Sequence, residues 1–225
     1  MKKVHQLLIT SFILFLTGCA SSPVSLEKLK EKNIESVTLA SEKSLNFETS
    51  SNVTTGAVIG GIIGAAVSVG VDANINAGRK KRFTPIAKLL QDQDFRAIFA
   101  EELAALSGDV FAENLQVNVT DTLLKKEEFE KNSLNLLSTY QLSPNHQTVT
   151  VKVTSTLKSG DKGKTHTKKF TNSSSVDLGG VKVKTADTTQ YWLDNREELL
   201  TTIKKTMHKV VQDIQTFYNT DQSKK

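Results

Sequence analysis

The sequence predicts an α+β fold, an antiparallel sheet of four or five strands with two long amphipathic helices on one face. Three observations carry this. Val149, Val151 and Val153 alternate with polar residues, as a half-buried strand requires. Leu200, Ile203, Met207, Val210, Val211, Ile214 and Phe217 recur at helical spacing near the C-terminus. A second helical stripe comprises Ile86, Leu89, Leu90, Phe95, Ile98, Phe99, Leu103 and Leu106.

Taken in order, Leu26 to Lys32 reads as a short charged helix, and Ile34 to Leu39 as a first strand within residues 34–52. Residues 53–78 form an apolar, Gly-rich segment that ends in a polar spacer. Thr84-Pro85 pairs an N-cap with proline at the first helical position, so the first long helix is expected to begin there. It should break near Asp92 to Asp94 and stop at Gly108. Leu115, Val117 and Val119 alternate as a strand. Leu134 to Leu142 and Thr148 to Leu157 flank Ser143-Pro144-Asn145-His146, which predicts a hairpin. Ser159 to Gly163 is a second turn, leading to a polar strand at Thr165 to Thr171. A loop with Gly179-Gly180 and a short strand at Val181 to Val183 follow. Asp194 and Glu197 have capping-box spacing at the start of the last helix, and Thr220 to Lys225 is a polar tail. The main domain therefore spans residues 79–219.

Composition excludes some functions. The formal charge of +5 includes Lys2 and Lys3, and falls to about +3 without them, too slight for a nucleic-acid partner. One Trp and three Tyr are too few for a base-stacking platform or a sugar-binding groove.

The N-terminus names a chemistry. Lys2 and Lys3 precede an apolar run from Leu7 to Leu16, the pattern of a secretory signal peptide over residues 1–18. The junction Leu16-Thr17-Gly18-Cys19 resembles the bacterial lipobox. That resemblance implies cleavage before Cys19, a diacylglyceryl thioether on its sulfur and an acylated amino terminus. Cys19 is the only cysteine, so neither a disulfide framework nor a thiolate metal site can form. Residues 19–33 read as a lipidated tether, with membrane lipid as partner through the acylated Cys19. Ala20 after the cysteine favours the outer membrane, by the same resemblance, with the domain in the periplasm.

The second feature is the uncharged run from Val53 to Val71. Gly56, Gly60, Gly64 and Ser68 recur every fourth residue, beside a parallel row of Gly61, Ala65 and Val69. Small residues at this spacing let helices approach closely. Arg79-Lys80-Lys81-Arg82 follows and offers cations to lipid phosphates. Three readings stay open: a single membrane span, a helix or helical hairpin inserting peripherally or as part of an oligomer, and a Gly-rich linker in a soluble domain. The run is similar to glycine-zipper segments of ring-forming outer-membrane lipoproteins of the complement-resistance and surface-exclusion group. That similarity implies a homo-oligomer.

Catalytic patterns are missing. Three histidines remain beyond the leader, His146, His166 and His208, none with a carboxylate or second histidine at ligand spacing. Glu101-Glu102 and Glu127-Glu128 are adjacent, so on a helix they diverge. There is no phosphate loop, nucleophile elbow or metal motif. The expectation is a non-catalytic lipoprotein without cofactor or metal, acting as a binding or assembly module with an envelope protein as partner. The alternative is an accessory or pore component of a multimeric transport or secretion system.

Overall fold

The computed structural model describes residues 34–47, 71–120, 132–158, 165–176, 178 and 184–220. Among these residues the strands are β1 (Ile34–Ser41), β2 (Asn46–Phe47), β3 (Phe111–Thr120), β4 (Ser133–Leu142), β5 (Thr148–Lys158) and β6 (Thr165–Ser175). The helices among them are α1 (Val71–Leu89), α2 (Phe95–Leu103), α3 (Thr185–Asp194) and α4 (Arg196–Asn219). The α+β class is as expected. The expected helix at Leu26 to Lys32 and strand at Val181 to Val183 lie outside the described residues.

The sheet order is β3-β1-β4-β5-β6, with β2 paired to β4. β4, β5 and β6 form the antiparallel meander that the valine alternation predicts, with Val153 facing Phe170 and Ser138 on β4. The purely antiparallel sheet needs correction. β1 lies between β3 and β4 and runs parallel to both, with Val37 opposite Val117 and Leu134. The reason is connectivity. A parallel neighbour needs a long crossover, which α1 and α2 supply between β1 and β3. A strand inserted there is flanked on both edges, and Ser36 and Ala40 on its second face are buried too, though less completely than Val37 and Leu39.

Helices cover the sheet face bearing Val37, Leu39, Leu134, Leu136, Tyr140, Val149, Val151 and Val153, all buried. Phe95 and Phe99 of α2 pack on the Tyr140 ring at 5.8 and 6.2 Å. The Tyr140 hydroxyl joins Ser41 and Ser138 at 2.8 Å each, so its burial leaves no orphan. That burial pushes its ionisation well above the usual tyrosine range. α4 buries Leu200, Ile203, Met207, Val210, Val211 and Ile214 as expected, and adds Leu199 and Tyr218. Phe217 is only half-buried and packs across Phe170 and His166 at the β6 edge.

Helix boundaries follow expectation in part. α1 runs straight through Thr84-Pro85. Phe83, Ile86 and Leu90 form one buried face, so packing demands helix on both sides of the proline. The Thr84 hydroxyl donates instead to the Lys80 carbonyl, 2.9 Å away. The expected break falls at residues 90–94, and the true N-cap is Asp94, whose carboxylate accepts from the backbone N–H of Arg96 (3.0 Å) and Ala97 (3.4 Å). The Arg96 guanidinium holds that carboxyl below its usual range. Asp94→Ala is expected to lower unfolding free energy by about 1 kcal/mol in urea titration. Finally, α3 was not foreseen, and it absorbs Asp194, so the expected capping box does not form. α2 ends at Leu103, before Gly108, which instead turns the connection to β3: its φ of 120° suits glycine, and a Cβ there would run into the Asn219 side chain.

On the opposite sheet face the central strand carries an anomaly. Asn135 Oδ1, Thr139 Oγ1 and Gln141 Oε1 are buried without a hydrogen-bond partner. Thr139→Val keeps the β-branched shape and removes one orphan. It should stabilise the fold by about 1 kcal/mol, read as a higher urea midpoint at unchanged slope.

Candidate functional site

Cys19, Gly56, Gly60, Gly64 and Ser68 lie outside the described residues. What the fold does define is where the chain departs for residues 48–70 and where it returns. β2 ends at Phe47, hydrogen-bonded beside Leu142 of β4. α1 begins at Val71 and carries Phe83 back onto the same place, with the Phe47 and Phe83 rings 5.7 Å apart.

The floor of this root is the β4–β5 turn. His146 stands there with φ of 61° and is 1% exposed. Its ring meets Phe83 edge-on at 6.3 Å. The Thr189 hydroxyl gives its proton to the Thr185 carbonyl at 2.8 Å, so the 2.8 Å contact with His146 Nδ1 requires Nδ1–H as donor. Burial, helped by the Arg82 charge, lowers the ring's pKa to about 4, so the imidazole is neutral near pH 7. The His146 carbonyl accepts from Trp192 Nε1 at 2.6 Å. Arg196, opening α4, donates from Nε to the Leu89 carbonyl at 3.1 Å and pairs with Asp92 at 2.7 Å, closing the C-terminus of α1. α1 is thus held at Phe83 by β2 and the turn, and at its end by Arg196.

This geometry bears on the uncharged run. A single crossing would place Phe47 and Phe83 on opposite sides of a hydrocarbon layer about 30 Å thick. Their ring contact is incompatible with that arrangement. Among the described residues no helix is long and apolar enough to cross a membrane.

The remaining histidines are scattered. His166 stacks on Phe217 at 5.9 Å with Nδ1 buried and unpartnered, and burial lowers its pKa. His208 does find a carboxylate, contrary to expectation: Glu102 of α2 lies 2.9 Å from Nδ1, while the Gln212 amide sits 3.0 Å from Nε2. The two residues are far apart in sequence and meet only because α2 packs on α4. The pair is a solvent-facing helix bridge, with the His208 side chain 55% exposed. Glu101 is exposed, as expected of a solvated helix face. An open groove of about 390 Å³ follows the β6 edge, lined by Lys169, Phe170, Asp213 and Phe217 among others. Among the described residues no three His, Cys, Asp or Glu side chains converge as a metal site. Comparison with models of known families, with curated proteins and with solved structures finds no match.

Proposed function

We propose that the protein is a lipid-anchored outer-membrane lipoprotein whose α+β domain faces the periplasm as a non-catalytic binding or assembly module. Its Gly-rich segment mediates membrane contact or self-association. The observation that carries the reading is the Phe47–Phe83 contact: an uncharged run leaves and re-enters one folded body. A run tethered at both ends inserts as a re-entrant hairpin or packs with copies of itself, and the Gly56, Gly60, Gly64 and Ser68 row suits close helix approach. Acylation at Cys19 supplies the anchor, since two lipid signals suffice for stable attachment.

Gly60→Leu with Gly64→Leu is expected to abolish the oligomer or the membrane insertion, read by size in detergent and by extraction from membranes. An unchanged particle and unchanged extraction refute the assignment of that segment. Protease accessibility of the domain in intact cells and spheroplasts tests its periplasmic side. Mass spectrometry tests the Cys19 thioether. The second reading, a pore or transport accessory, draws on the same re-entrant geometry and predicts bilayer conductance or ring-shaped particles.

A further inference from the structure

The basic run of α1 is not a compact cluster. On a helix turning about 100° per residue, Ala77, Lys80, Lys81, Thr84 and Lys88 fall within an arc of about 100°. All five are exposed, while Phe83, Ile86 and Leu90 occupy the buried side. Arg82 points away from this arc: its guanidinium lies near Gly78 and acts on His146. The outward stripe is therefore three lysines spaced by small residues, with no acidic side chain in it. Its nearest acid beyond the helix end, Asp92, is taken by Arg196. Pro85 lies at the edge of the stripe, also exposed.

From this we infer that α1 is a docking face for an anionic lipid surface and lies flat along it, with Lys80, Lys81 and Lys88 on the headgroup phosphates. The inference rests on the membrane reading above, because α1 starts where the Gly-rich segment ends. Orientation follows from distance. Lys88 lies about 26 Å along the axis from Val71. An upright helix holds it well outside the roughly 10 Å reach of a charged surface at 0.1 M salt. Lys80 and Lys88 are themselves about 12 Å apart along the axis, so a helix lying along the surface brings all three within range. The attachments of α1 to β2, the β4–β5 turn and Arg196 then fix the domain's posture on that surface.

The test is lysine footprinting of the full chain on vesicles. An amine-reactive ester is applied to protein on neutral phosphatidylcholine vesicles and on vesicles with 30% phosphatidylglycerol, and modification is read by mass spectrometry. Lys80, Lys81 and Lys88 should react at least 10-fold more slowly on the anionic vesicles, and 0.5 M NaCl should remove the difference. Lys204 and Lys205, exposed on α4, should not change. In flotation of chain carrying Cys19→Ser, the triple variant Lys80→Glu, Lys81→Glu, Lys88→Glu should lose on the order of 100-fold in affinity for anionic vesicles, at about 1 kcal/mol per lysine. Equal footprints on both vesicles, with protein still floating, overturn the docking face and leave membrane attachment standing. Protection without vesicles at raised protein concentration also overturns it, in favour of a second copy. Acylated protein that fails to float with either vesicle overturns the membrane reading itself.

Discussion

Trp192→Ala should destabilise the fold by about 4 kcal/mol, a large share of the 5–15 kcal/mol typical of a domain. Trp192 is 0% exposed, so its removal empties a large volume under α3. It also deprives the buried His146 carbonyl of its 2.6 Å donor. Because α3 lies against α1, the loss should be felt at the root of the Gly-rich segment as well as in global stability. Chemical denaturation followed by far-ultraviolet circular dichroism is the measurement, since this is the only tryptophan and its fluorescence goes with it. Trp192→Phe refills most of the volume but not the hydrogen bond, and should cost less than the alanine variant. Equal losses for the two variants would show that the indole N–H, not the packing, dominates. A loss below about 1 kcal/mol for alanine sinks the account.

Acid should unfold the protein through His146. Its pKa lies near 6.5 in the unfolded chain and is lowered to about 4 in the fold. The unfolded state therefore binds more protons between these values. Stability is fully present above pH 6.5 and is lost as pH falls towards 4, by on the order of 3 kcal/mol in all. His166 acts in the same sense, since burial also lowers its pKa. The contrast with His146→Asn isolates the first group, because asparagine tolerates the φ of 61° and has no titrating ring. Urea midpoints from pH 7 to 4 should fall steeply for the natural sequence and shallowly for His146→Asn. Parallel slopes would remove His146 from the explanation. The same protonation puts a charge against the Phe83 ring of α1, so acid should loosen α1 before it melts the sheet.

Alternation and helical stripes were enough to locate most elements. The β4–β5 hairpin, β3, the first part of β6 and the whole of α4 lie where alternation, turns and apolar spacing put them. β5 and α4 each bury the face the pattern marks, whereas on β3 Leu115 and Val117 are only partly buried and Val119 is exposed. α3 escaped because Thr185–Asp194 has only Thr188 and Trp192 buried, too short a stripe to register. Thr84-Pro85 misled because local capping chemistry and burial of Phe83 disagreed, and burial won.

For the candidate site the division is similar. Cys19 and the Gly56–Ser68 row are contiguous chemistry, legible as a motif or a spacing. The root formed by Phe47, Phe83, His146 and Trp192 joins four separate elements, and no local pattern marks residues whose only relation is contact. The direction of β1 belongs to the same kind. A strand's periodicity states which side faces the core but carries no sign for which way its neighbours run, and that choice was made by the length of chain folded into α1 and α2 before β3. The linear chain therefore carried a lipobox-like motif and the apolar faces of its parts, while long-range packing assigned strand direction and brought Phe47 and Phe83, on either side of the uncharged run, into contact.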